Sequence, residues 1–550
     1  MMQACGGAAN STSSSGDPST QDVTTYPAPE VALGERLFLE TRFAQFFATH
    51  MTGINQPLSA GDPVVAVVQT TSGTLPGPFA GQSINCRSCH FVTEFEGGAG
   101  NRSYSDFTTR SPLPRTINGF DHTPRNAEQM VESLMPRPSP TFLHGDGEFV
   151  DPIDLVQSTL TGRNFGWSPD EQSQAIAFIA QVIRQDDGSS KLAGERSGGL
   201  SYSTLLLGTS AKISPQFLIP PAYRLNVQTA TDQQVGAAVA KLLQAYMAAL
   251  LFEQNSAGVY FGTPYDIFLQ LNDLPRQPNP GESPAAYNQR LLQNVEALTH
   301  PKFVTKLNGS FKYHSQPFQF GTNELAGLKV FLSAAPGATD GSQHAGNCAS
   351  CHAAPNFTDF VFHCTGVSQE EYDAANGAGS FMNLAVPSLA QRNVNYNQYL
   401  PMTLNHPSAT EAFRHIAVAG QPQFADLGMW NVYLNPDMPN PQPALAGVVC
   451  AAGNDCSIDQ GLASTIAQFK TPNLRDLVDS NPYFHNGSKL TLQDVINFYI
   501  FNSQLARNGN LRNPPAQFQG MSIDQTDVSA LVAFLQSLTV DYDDTHLPVQ

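Results

Sequence analysis

Two copies of one short string constrain this chain more than anything else in it: Asn85-Cys86-Arg87-Ser88-Cys89-His90 and Asn347-Cys348-Ala349-Ser350-Cys351-His352. The Cys-x-x-Cys-His spacing is that of a c-type haem attachment site. The two thiols add to the haem vinyl groups, and the adjacent imidazole is placed to ligate iron. The same cysteines could serve zinc or structural disulfides. However, no further Cys-x-x-Cys and no His-x-x-x-His string exists to complete a zinc set. Two complete copies predict two covalently attached haem c groups, with His90 and His352 as proximal ligands. They imply either electron transfer between the haems or chemistry at one fed by the other.

A repeat surrounds the two strings. Ala32-Leu33-Gly34-Glu35-Arg36-Leu37-Phe38 precedes the first, and Leu325-Ala326-Gly327-Leu328-Lys329-Val330-Phe331 precedes the second. Both read as amphipathic helical starts. The expected fold is mainly α: two cytochrome c-like haem domains in tandem, with long loops and little β structure. Residues 29–310 form the first domain, with a large extension, and residues 311–545 the second. The boundary falls between about His300 and Asn323. Ser168-Pro169-Asp170-Glu171 is a capping box with Pro at the first helical position, followed by an Ile176, Ile179, Ile183 stripe. Thr491-Leu492-Gln493-Asp494 caps a second helix, whose Leu492, Val495, Ile496 and Tyr499 share one face. Val528, Leu531, Val532, Leu535 and Leu538 predict the last helix. The most apolar helix, Val235 to Phe252, contains Lys241 and Gln244 and reads as a core element rather than a membrane span.

Composition narrows the partners. The net charge of −18 over 550 residues argues against nucleic acid and anionic membranes. It suits a basic redox partner, although many soluble proteins are simply acidic. With 41% apolar residues the chain can bury large cores, while only 13% charged residues, 43 glycines and 40 prolines suit short helices tied by long ordered loops. Four of the eight cysteines go to haem. Cys450 and Cys456 flank a short loop and could close a small disulfide, and Cys364 reads as a buried thiol. Cys5 precedes a Ser/Thr-rich stretch, and residues 1–28 read as a disordered tether. That start resembles the end of a bacterial lipoprotein signal, or else an incidental cysteine in a loose terminus. Haem attachment of this kind belongs to an exported compartment, so a periplasmic or outer-envelope location is expected, with Cys5 as the lipid-anchor candidate.

Taken in order, the strings resemble the bacterial di-haem cytochrome c peroxidase superfamily. The resemblance is carried by Phe357-Thr358-Asp359, Phe362-His363-Cys364-Thr365-Gly366, the run from Phe469 to Asp476, and Pro482-Tyr483-Phe484-His485-Asn486-Gly487. That superfamily includes peroxidases, the enzyme that matures methylamine dehydrogenase, and rubber oxygenases. The resemblance implies a reactive haem at His90, where peroxide is activated, and an electron-transfer haem at His352. It places Tyr499 where peroxidases carry a sixth-ligand Met, with His485 as the competing ligand; either residue could instead be structural, Tyr499 as core and His485 as a hydrogen-bond partner. Where the superfamily has Trp-Asp-Gly, this chain has the stretch from Phe142 to Glu148, leaving Trp167 and Trp430 as its tryptophans. Gln157 matches a distal Gln, but no acid stands where the proton-moving Glu is expected, so that role falls to Glu148, His144, Gln157 with water, or no residue at all. The resemblance also implies an interface Ca²⁺ at Asn126, Thr471 and Pro472. Three functions follow: a peroxidase-type di-haem oxidoreductase served by a small redox protein or quinol-linked donor; an O₂-activating dioxygenase similar to rubber oxygenase; or a pure electron carrier.

Overall fold

The computed structural model describes residues 27–65, 67–70, 73–76, 81–90, 125–137, 140–305, 311, 316–334, 344–451 and 458–540. The expected tether, with Cys5, and the expected disulfide partner Cys456 lie outside these residues. Cys450 is disulfide-bonded.

Helices dominate the chain. The described strands form three two-stranded antiparallel pairs: Val67–Thr70 with Gly73–Pro76, Val304–Thr305 with Gln319–Phe320, and Phe362–His363 with Phe469–Lys470. The last pair matters for the site, because it joins the segment after the second haem string to the Phe469-Lys470-Thr471-Pro472 run. Among the described residues no helix is long and apolar enough to cross a membrane.

The sequence repeat becomes a repeated helix crossing. Pro29–Phe38 starts with Pro at its N-terminus, where the missing N–H costs nothing, and buries Leu33, Leu37 and Phe38. It crosses Asp232–Ala249 at Gly34, where an added Cβ would overlap the Leu242 carbonyl oxygen and come within 2.8 Å of the Tyr246 Cβ. In the second unit Thr322–Leu332 crosses Val528–Gln536 at Gly327, where an added Cβ would overlap the Ala530 carbonyl oxygen. Gly34 and Gly327 occupy the same place in the two repeat strings. In each unit the backbones approach so closely that only glycine fits.

Caps form as the sequence predicts. Ser168 and Glu171 make the reciprocal capping box before Gln172–Gln185. The later helix, Leu492–Arg507, starts at Thr491, whose hydroxyl accepts from the Asp494 amide. A buried ion network then ties the first unit together. Arg36 donates to Asp186 at 2.7 Å, and Arg42 reaches Asp186 at 3.0 Å and Glu40 at 2.6 Å. The Tyr202 hydroxyl donates to the same Glu40 at 2.9 Å.

Core membership departs from the expected domain boundary. One core runs from Leu33 to Leu250. The second starts at Tyr265, so the helices Pro264–Leu271 and Pro284–Glu296, which the sequence reading gives to the first domain, pack with the second haem string. The Pro-, Asn- and Gly-rich stretch between them is a loop within the second core. A third core gathers Phe142 with residues between Phe362 and Ala467, including Trp430.

Because no neighbouring backbone can yield at either crossing, Gly34→Ala and Gly327→Ala should each cost about 1–3 kcal/mol, the usual range for overpacking. Urea unfolding monitored by circular dichroism checks this. A midpoint unchanged from wild type would show that the helices slide apart without loss.

Candidate haem sites

Each haem string folds into the same tight turn. Cys86–Ser88 and Cys348–Ser350 are single 3₁₀ turns, each entered from an asparagine. The His90 amide donates to the Cys86 carbonyl at 2.9 Å, and the His352 amide to the Cys348 carbonyl at 2.8 Å. The Asn85 side chain accepts from the Ser88 amide, and the Asn347 side chain donates to the Gln517 carbonyl at 2.8 Å. These bonds gather both thiols and the imidazole of each string at one end of a turn.

Both imidazoles are oriented from behind. His90 Nδ1 lies 2.8 Å from the Glu128 carbonyl oxygen, and His352 Nδ1 lies 3.1 Å from the Phe357 carbonyl oxygen. A carbonyl can only accept, so Nδ1 carries the proton and Nε2 holds the lone pair that a metal needs. Burial draws both imidazoles below the ordinary histidine value, which keeps them neutral.

Both strings face one cavity of about 380 Å³. Its second-unit wall sets the apolar Phe331, Phe484, Ile496, Phe518 and Leu531 beside polar groups such as Asn347, Tyr499 and Gln517. Left dry, a void of this size would cost up to about 9 kcal/mol at roughly 24 cal/mol per Å³, which rivals the whole stability of a domain. His485 also lines it, and its Nε2 is buried with no hydrogen-bond partner among the described residues. The large void, the tethered histidines and this orphaned nitrogen fit haem. Burial pushes the Cys86, Cys89 and Cys348 thiols up to about 12, so they rest as thiols.

Tyr499 and His485 both line the chamber but have different neighbours. Burial raises the Tyr499 phenol above its ordinary value, and the nearby Cys351 and Cys348 raise it further. Tyr499 therefore belongs with the second haem string. His485 stacks on Phe469 at 3.5 Å and feels Asp426, Arg125 and Asp146; burial lowers it to about 4. It belongs with the junction of the units.

That junction is built by residues the sequence reading did not single out. Lys470 donates to Glu128 at 2.8 Å and to the Phe142 carbonyl at 3.2 Å. Arg125 reaches Asp146 at 2.5 Å and Asp426 at 2.6 Å, with its guanidinium 5.3 Å from the Phe469 ring centre. Arg137 also lines the cavity; burial lowers it to about 10. Among the described residues it has no carboxylate within ion-pair distance.

The expected distal residues are placed elsewhere. Glu148 is held by Arg414 at 2.8 Å and His144 at 3.0 Å. Burial raises its carboxyl, but Arg414 and His144 outweigh that and hold it well below the usual range. Glu148, His144 and Gln157 are absent from the cavity wall among the described residues. Arg414 holds Glu148, and Arg125 holds the neighbouring Asp146. Trp167 and Trp430 are fully buried in separate cores and do not reach the cavity. Of the expected calcium ligands, Asn126, Thr471 and Pro472 all line the cavity. The Asn126 Nδ2 donates to the Pro482 carbonyl at 2.6 Å, and the Thr471 carbonyl accepts from Thr358 at 2.8 Å. Residues 91–124, which follow the first haem string, lie outside the described residues.

No family model matches the chain. Curated relatives do. The cytochrome-c peroxidase IdrP2 of Denitromonas iodatirespirans is 25% identical over 199 residues, which is 35% of this chain and 36% of that protein. The methylamine utilization protein MauG of Methylophilus methylotrophus is 39% identical over 70 residues, 13% of this chain and 19% of that protein. The chain therefore spans well under half the length of the relatives it matches. Among solved structures, a MauG-like protein associated with microbial copper homeostasis aligns over 97% of this chain and 99% of its own, at 13% identity and a TM-score of 0.43.

Removing Arg125 should leave Asp426 buried without its cation, while Asp146 keeps only Arg414 at 3.7 Å, at a cost of about 3–5 kcal/mol. Burial raises the Asp426 carboxyl, but Arg125 outweighs that and the net shift is downward. Its contribution to stability is therefore present above about pH 4, the unfolded value, and is lost as pH falls below it. Urea unfolding of Arg125→Met should show the deficit at pH 7 and a smaller one at pH 3; an equal deficit at both would remove the ion pair as its cause.

Proposed function

We propose that this chain, a member of the di-haem cytochrome c peroxidase and MauG superfamily, is a di-haem oxidoreductase of the cell envelope, with peroxide activated at the His90 haem and electrons relayed by the His352 haem. One observation carries the reading: a single cavity holds both Cys-x-x-Cys-His strings, and each proximal imidazole is turned toward it by a carbonyl behind. Haem c, when bound, supplies one-electron redox change and, where a coordination position is open, a place for peroxide to bind and be cleaved.

The chain's own residues do the rest. Cys86 and Cys89, and Cys348 and Cys351, hold the two groups covalently. The Glu128 and Phe357 carbonyls fix the tautomer of His90 and His352 and make each a stronger base toward metal. Tyr499, beside the second string, is the sixth ligand of the His352 haem in this reading, where a phenolate would favour the oxidised state. His485 stays at the junction. Arg137, a cation on the wall that meets no carboxylate among the described residues, would neutralise a haem propionate. A small redox protein or quinol-linked donor supplies electrons, and the net charge of −18 suits a basic one.

One observation favours a second reading. Glu148 is locked in an ion pair and, like His144 and Gln157, is absent from the described wall, so none of the three residues expected to move the peroxide proton is seen there. An O₂-activating dioxygenase similar to rubber oxygenase needs no such acid.

Optical and EPR spectra of the isolated protein, before and after peroxide, O₂ and CO, decide among these. The peroxidase reading expects a high-spin and a low-spin signal, CO binding after reduction, and spectral change on stoichiometric peroxide. A stable oxygen complex as isolated would favour the dioxygenase. Absence of high-spin signal and of CO binding would leave only a carrier. Tyr499→Phe should alter the low-spin signal and His485→Ala should not; the reverse would exchange their roles.

A further inference from the structure

Two acids line the chamber among the described residues, and they are held in opposite ways. Glu128 faces a cation, Lys470. Glu132 is buried, only 3% exposed, and both of its carboxylate oxygens take neutral donors. The Tyr260 hydroxyl reaches Oε1 at 2.6 Å, and the Asn473 amide reaches Oε2 at 2.7 Å. The facing cation, Arg475, is spent on Asp266, with two bonds of 3.0 Å, and stacks 3.7 Å over the Tyr260 ring. Glu132 also sits in the left-handed backbone region, at φ +62°, anchored by its amide to the Leu250 carbonyl. A non-glycine residue held there is uncommon and carries some strain. Burial pushes its carboxyl above the ordinary value, against the lowering pull of Tyr260, Arg475 and Asn473.

A route leads from this carboxylate to one haem ligand. The Tyr260 hydroxyl also lies 3.0 Å from the Asn356 side-chain oxygen. The next residue, Phe357, provides the carbonyl that holds His352 Nδ1. An electron entering the chamber adds negative charge in a region of low polarity, next to a carboxylate with no ion-pair partner among the described residues. The least costly response is for that carboxylate to take a proton.

We propose that Glu132 is a redox-linked proton site: when the donor reduces the His352 haem by one electron, the Glu132 carboxylate takes one proton from solvent, and it releases that proton when the electron leaves. This rests on the two-haem reading above. No bond to carbon forms or breaks; the electron comes from the donor of the proposed reaction and the proton from water. Glu132 acts through the field it places on the haem, as a positioning residue rather than a catalytic one.

Potentiometric titration of both haems between pH 5 and 9 tests this, after a pyridine haemochrome assay has counted the haems. Fewer than two haems would overturn the underlying reading. With two haems, one potential should fall with rising pH over part of the range, approaching a tenfold change in the reduction constant per pH unit, about 59 mV for a one-electron couple. Glu132→Gln should flatten that slope, Glu132→Asp should keep it, and Tyr260→Phe should move the sloping window to higher pH, because it removes a donor to the charged form. Should Glu132→Gln fail to fold, the Glu132→Asp and Tyr260→Phe slopes still decide. A pH-independent potential in the wild type, the same slope in Glu132→Gln, or an unmoved window in Tyr260→Phe would overturn the proposal.

Discussion

The helices of the second unit close around a space that their own side chains leave unfilled, and much of the architecture answers to that shortfall. Apolar walls around an empty chamber are unstable, so a fold with this shape depends on a large flat guest. The tight turns of both Cys-x-x-Cys-His strings, the carbonyls behind both imidazoles and the orphaned His485 nitrogen all point the same way. The Gly327 crossing brings together two helices that supply Phe331, Leu531 and Leu535 to the chamber wall.

A second constraint works at the junction. Asn126, Arg125 and Glu128 come from the first unit, and Pro482, Asp426 and Lys470 from the rest of the chain. Glu128 serves both sides at once: its carbonyl orients His90, while its carboxylate meets Lys470. A change at the contact between the units therefore reaches a proximal ligand within one residue. Such short coupling needs no long pathway of packed side chains, and it can be measured.

Features with a period or a fixed spacing are legible in the sequence. The haem strings, the Gly34 and Gly327 repeat, the capping box at Ser168 and the Thr491 cap all declare themselves through local pattern. Cys364 is readable as a buried thiol, and it is 1% exposed. The chamber's single charged residues are not. Arg125, Glu132 and Arg137 lie in an irregular stretch between strings, and their partners are fixed by long-range folding. Glu148 is hard to place for the same reason: its partner Arg414 lies far along the chain. The third core does not announce itself because its apolar residues, from Phe362 to Ala467, follow no single helical or strand period.

The two crossings also bear on how such a chain can grow. Gly327 pins the helix just before the second haem string to the last helix of the unit, so these two helices are held together whatever lies between them. The stretch from Phe362 to Ala467 is a lobe with its own core, inserted between those helices. A unit closed by that crossing can take up new sequence in its middle without losing its cofactor chamber. The lobe and the chamber have separate cores, so a change confined to the lobe leaves the contact at a glycine that admits no side chain untouched.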